Sequence, residues 1–236
     1  MMSRYRSLAL RSLSAFTVVV ALTTSTFAAG DLVWFNGSFD GVNGLSSERN
    51  TSVGDARTYD NFSLPSGYGV ITGLLGQFFL TPEIVGAPVY WEIRQGAGVG
   101  TGGTLISAGT ATGASYTAIG SGFGLTIYEI RVKIGNVSVS PNTVYWMTMA
   151  PVGNGAGRAF VTTTSGAGAI GFPTGGDDGL FDSSSFSVSW QLATSIVGAG
   201  NGDFAYGVQA IPEPASMIAL GTGLAGLLAL RRRSKQ

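Results

Sequence analysis

The segment Tyr128-Glu129-Ile130-Arg131-Val132-Lys133-Ile134 switches between charged and apolar side chains at each step from Glu129 onward. Only an extended strand with one buried and one wet face uses a period of two in this way. Val89–Arg94 contains the same alternation, with Trp91 and Ile93 set against Glu92 and Arg94, and Phe186–Trp190 repeats it with serines outside. Further strands are expected over Leu32–Phe35, Arg57–Phe62, Gly69–Leu80, Gly103–Ala111, Thr143–Met149 and Phe204–Gln209, separated by Gly, Ser, Thr and Asn. About nine or ten strands with Gly-rich turns and no helical run predict an all-β body. The expected architecture is a two-sheet antiparallel sandwich, jelly-roll-like. No internal repeat and no long linker divides it, so one domain is expected over residues 30–210.

The long uninterrupted apolar runs sit only at the two ends, which argues against a bundle of membrane helices. The formal net charge is zero, but seven of the 13 basic residues lie in those ends. The body between them is therefore mildly acidic and offers no basic face for nucleic acid. The chain has no Cys and no His. That removes Ser-His-Asp and Cys-His catalysis, the usual zinc and copper sites, and disulfides. A body of about 180 residues buries enough apolar surface to fold without such staples.

Residues 1–29 read as a secretory signal peptide with a helical apolar core. Arg4, Arg6 and Arg11 form its positive region, and Ala15 to Leu22 is an apolar run too short to span a bilayer comfortably. Thr26-Phe27-Ala28 offers small residues for cleavage between Ala28 and Ala29, by secretion machinery and a signal peptidase. An uncleaved anchor helix is the alternative.

Residues 211–236 form a second address. Ile211-Pro212-Glu213-Pro214-Ala215-Ser216 precedes an uncharged apolar stretch, Met217 to Leu230, and then Arg231-Arg232-Arg233. As a helix that stretch is on the order of 21 Å long, against a hydrocarbon core of ~30 Å. A short transmembrane helix with a thinned bilayer is expected, with the arginines as a cytoplasmic stop and the body outside. Pro212 and Pro214 lack an N–H and bias the preceding residues toward extended geometry. The expectation is an unfolded, accessible segment from Ile211 to Pro214, beside the inner membrane while the precursor is anchored.

Pro-Glu-Pro-Ala-Ser, the short Gly/Leu/Ala helix and the terminal arginines together resemble the PEP-CTERM sorting domain of Gram-negative bacteria. The resemblance implies recognition by an exosortase, a membrane-embedded transpeptidase. It makes Pro212, Glu213 and Pro214 the sorting motif and Arg231, Arg232 and Arg233 the stop. It also implies a producer of exopolysaccharide and biofilm matrix, with the protein ending at the cell surface or outside. Asp60, Phe62, Ile71-Thr72-Gly73, Trp91-Glu92-Ile93-Arg94 and Tyr145-Trp146 are loosely similar to the bodies of such proteins.

In the body, Trp34, Trp91, Trp146 and Trp190 are candidates for stacking on sugar rings, with core packing as the commoner role of strand aromatics. Asp177, Asp178 and Asp182 form an acidic, Gly-rich loop, a weak calcium candidate whose spacing does not match an EF-hand. No other cofactor is expected. Asp40, Glu83, Glu92 and Glu129 supply carboxylates that a glycosidase would need in a facing pair. Asn36, Asn50, Asn61 and Asn136 begin Asn-x-Ser sequons. Gly221 to Gly226 has the letters of a dinucleotide loop without the βαβ context, so helix packing explains it better. These observations point to a non-enzymatic, structural or adhesive protein linked to exopolysaccharide. A carbohydrate-binding module is the alternative, and a polysaccharide-active hydrolase the third reading.

Overall fold

The computed structural model describes residues 30–174, 178–198, 200, 202–213 and 221–223. The expected signal peptide and most of the expected transmembrane helix lie outside them. Residues 221–223 are helical. Among the described residues no helix is long and apolar enough to cross a membrane.

The described body is two seven-stranded sheets. In the first, β5 (Tyr68–Leu80) is the axis. Its segment GVITGLLGQFFL is too apolar for a wet face, and from Leu74 onward every residue is buried. On one side it pairs along most of its length with β9 (Leu125–Ser138), which carries the edge strand β8 (Ser115–Gly122). On the other side two strands share it end to end. β14 (Tyr206–Pro212) takes Tyr68 to Gly76, and β11 (Ala159–Thr164) takes Phe78 to Leu80. β1 (Asp31–Phe35) then pairs with β14, and β2 (Phe39–Ser46) with β11.

The second sheet contains β3 (Glu48–Asn50), β4 (Gly54–Phe62), β6 (Val89–Gln95), β7 (Thr104–Ala111), β10 (Tyr145–Gly153), β12 (Leu180–Ser183) and β13 (Val188–Leu192). Its order is β13-β12-β4-β3-β10-β6-β7, with β4 also touching β10 directly. The sandwich is antiparallel except for one short parallel contact, β3 on β10.

One core cluster draws on both sheets, with Trp34, Ile71, Phe78, Ile130 and Val208 from the first and Phe62, Ile93, Met147 and Met149 from the second. Polar groups cross the gap as well. Tyr206 Oη of β14 donates to the Thr58 carbonyl at 3.1 Å, in the opposite sheet. Asp60 of β4 accepts from Asn36 Nδ2 at 2.9 Å and from the Phe204 amide at 2.7 Å. Buried polar groups without such partners would cost stability, so these bonds also set how the sheets register.

Among the described residues, fourteen strands replace the expected nine or ten. The additional ones, β2, β3, β8, β11 and β12, are short or rich in Gly, Ser and Thr, so no apolar alternation marks them. A second correction concerns the tail. The body does not stop at Ala210: Ile211 and Pro212 complete β14, paired with Val70 and Tyr68 of β5. They are extended, as the prolines require, but they are ladder residues and not a free segment.

Candidate functional site

Two regions gather several of the residues that sequence reading selected, and the first is the outer face of the second sheet. In β6, Val89, Trp91 and Ile93 point into the core, so Tyr90, Glu92 and Arg94 share the opposite face. The pairing places Trp146 of β10 opposite Arg94 and Thr148 opposite Glu92. This face was expected to be wet, yet Glu92 is 1% exposed.

Four donors surround its carboxylate. Oε1 accepts from Arg57 Nη1 at 2.8 Å and from Tyr90 Oη at 2.6 Å. Oε2 accepts from Tyr59 Oη at 2.9 Å and from Arg94 Nε at 2.5 Å. Arg57 bridges onward to Asp182 of β12 at 3.0 Å, while its Nε is buried without a hydrogen-bond partner. Trp190 of β13 closes the cluster, its ring 4.7 Å from that of Tyr59 and 5.1 Å from the Arg94 guanidinium. Trp190 has φ 44, a left-handed backbone that a bulky residue rarely adopts, and Gly102 must be a glycine because a Cβ there would come 2.5 Å from the indole. At the other end Arg49 lies 4.5 Å from the centre of the Tyr90 ring.

The electrostatics follow from this packing. Burial alone would raise the Glu92 pKa, but hydrogen bonds from Tyr90 and Arg94 and the Arg57 charge outweigh it and hold the carboxyl below its ordinary value. Burial and the bond to Glu92 push Tyr90 up to about 12. Glu92 is thus an ionised, saturated acceptor that organises two arginines. It holds no proton to donate.

The other carboxylates considered for a hydrolytic pair are placed elsewhere. Glu129 faces outward on β9 and pairs with Arg131 at 2.7 Å. Asp40 of β2 accepts from Thr163 Oγ1 at 2.8 Å. Both belong to the first sheet, whereas Glu92 belongs to the second. Glu83 sits in the short 3-10 turn Pro82–Ile84.

Among the tryptophans, Trp34 and Trp91 are buried in the core and present no ring face to a ligand. Trp146 and Trp190 are half-buried, both in the second sheet. Of the acidic loop, Asp177 lies outside the described residues. Asp178 accepts from the Thr194 amide at 3.1 Å and from the Thr194 hydroxyl, while Asp182 is engaged by Arg57. Among the described residues no group of three His, Cys, Asp or Glu side chains is placed to hold a metal ion. The sequons are equally structural in part, since Asn36, Asn50 and Asn61 are buried and only Asn136 is exposed.

Sequence reading missed Arg57, Tyr59, Tyr90 and Arg94 as partners of Glu92. The one available signal was their spacing: Tyr90 and Arg94 flank Glu92 by two residues, and Arg57 and Tyr59 are likewise two apart.

The second region is the end of β14. Pro212 pairs with Tyr68, and the Glu213 amide donates to the Gly67 carbonyl at 2.8 Å. The Glu213 side chain lies across Gly69, where a Cβ would come 2.6 Å from its Oε1 and 2.7 Å from its Cγ. Ala28, Ala29, Pro214, Arg231, Arg232 and Arg233 lie outside the described residues.

Comparison with known families adds one finding on this second region. A family model described as the PEP-CTERM protein-sorting motif matches residues 210–233, so the chain carries that motif at the end of the sandwich. No curated protein and no solved structure matches the chain.

Proposed function

We propose that this chain is a precursor exported across the inner membrane, held there by its C-terminal tail, and processed by an exosortase for delivery to the cell surface or extracellular matrix. The carrying observation is the sorting motif at residues 210–233, which begins on the last strand of a folded β body. Pro212, Glu213 and Pro214 serve as the recognition motif and Arg231 to Arg233 as the cytoplasmic stop. The secretion machinery and a signal peptidase acting near Ala28 and Ala29 handle the other end.

The body acts without catalysis, as a structural or adhesive element in an exopolysaccharide matrix, and needs no cofactor. Glu92, a buried carboxylate at the centre of its hydrogen-bond network, is ionised and fully bonded, which suits a scaffold better than a general acid. The test is replacement of Pro212, Glu213 and Pro214 by alanine in the native host. The altered chain should accumulate uncleaved in the membrane fraction. Release equal to that of the unaltered protein would sink the proposal.

A second reading is carbohydrate binding on the outer face of the second sheet. It is favoured by Trp146 and the strained Trp190, both half-buried and both beside Arg94. Matrix polysaccharide from the host should retard the protein in an affinity gel, and Trp146→Ala should abolish the retardation. An unchanged mobility in the presence of polysaccharide excludes this reading.

A further inference from the structure

The sorting motif and the sandwich overlap, and the overlap constrains where the chain can be cut. β14 lies inside the first sheet, between β1 and β5. Tyr206, Val208 and Ala210 are fully buried, and the Tyr206 hydroxyl ties the strand to the opposite sheet. A break upstream of Ala210 would therefore remove core side chains and leave backbone groups of β1 and β5 without partners. The next three residues are held too. Ile211 and Pro212 continue the ladder on β5, and Glu213 is fastened by its amide to Gly67 and seated by its side chain over Gly69. Gly67 has φ 89, the left-handed turn that brings its carbonyl to Glu213. Only three residues separate Glu213 from Met217, the start of the apolar stretch. That spacing allows at most about 14 Å between their Cα atoms, so the membrane-embedded enzyme meets this end of the sandwich directly.

Resting on the sorting reading above, we infer that the cut falls on the C-terminal side of Glu213. The mature protein keeps Pro212 and Glu213 as the end of β14. In that step the peptide C–N bond on the far side of Glu213 breaks. Its acyl carbon passes to water or to an amine or hydroxyl acceptor, and the departing tail takes up the proton on its new amine. The motif is read partly as folded structure, with the first half presented by β5 and the Gly67–Gly69 turn.

The experiment is C-terminal peptide mapping of the full chain recovered from its native host, together with hydrogen exchange on the unprocessed full chain. The mature C-terminus should lie at Glu213 or beyond, and the Glu213 amide should exchange roughly 100-fold more slowly than in an unstructured peptide. Gly69→Ala leaves every motif residue intact but unseats Glu213, and should reduce that protection about tenfold. A terminus at or before Pro212, or a Glu213 amide as fast as free peptide, overturns the inference while the sorting reading stands. A recovered chain still ending in Gln236 removes the sorting reading, and the inference with it.

Discussion

Strands β6 and β9 carry nearly the same alternation, yet their charged faces meet opposite fates. On β9, Arg131 and Lys133 are exposed, and Glu129 pairs with Arg131 at the surface. On β6, Glu92 is buried beneath Arg57, Arg94, Tyr59, Tyr90 and Trp190. A period of two decides that two faces exist and which residues share each. Whether the polar face meets water depends on what packs over it. β9 lies between β5 and the edge strand β8, and its charged side chains stay at the surface, whereas β6 lies in a sheet whose β4, β12 and β13 contribute side chains that fold over the carboxylate.

Substitutions at the two glutamates test that contrast most directly. Glu92→Ala leaves two part-buried arginines without their shared acceptor and should cost about 3–5 kcal/mol in denaturant unfolding. If it costs no more than the same change at Glu129, the buried network is not a stability element and the contrast fails. Glu92→Gln keeps the shape but removes the charge, and its effect depends on pH. The folded carboxyl titrates below its ordinary value, so on acidification the unfolded chain takes up the proton first. The stability Glu92 contributes is full above the unfolded value of about 4.3 and is lost as pH falls through the folded value. The stability gap between the native protein and Glu92→Gln should therefore close on acidification below that point. A gap that stays constant would mean the carboxyl is not held ionised by its neighbours.

A smaller effect is expected at the rim of the network. Tyr90→Phe removes one of the four donors to Glu92 and should cost about 1 kcal/mol, measured as a shift of the denaturation midpoint. The same variant should also remove the tyrosine ionisation that Tyr90 undergoes near pH 12. Glu129→Ala is the smallest, within about 0.5 kcal/mol, because an exposed pair on a strand contributes little. A cost there approaching that at Glu92 would show that solvent does not screen the β9 face.

The strands legible in the sequence were those whose two faces differ in kind. Ile130, Val132, Phe62 and Phe78 announced their burial through chemistry and spacing alone. β8, with SYTAIGSG, and β11, with AFVTTT, did not, because Thr, Ser and Gly suit either a turn or an edge strand until a neighbour is present. The candidate sites divide the same way. Pro212, Glu213 and the family match at 210–233 are local, contiguous features that survive without any fold. The Glu92 cluster joins β4, β6, β12 and β13, and Arg57 reaches Asp182 across 125 residues of chain.

From the order of residues alone came the all-β class, the sorting motif at the end of the body, and the absence of thiol and imidazole chemistry. Each depends on residue type, short-range period or composition, which do not change when the chain folds. The tertiary structure decided which alternating face was dry, which tryptophans were core, and that the sorting motif begins inside a sheet. Those outcomes depend on what stands opposite each residue. Burial, charge pairing and ladder hydrogen bonds are relations between distant segments, and they take a value only once the two sheets have closed on each other.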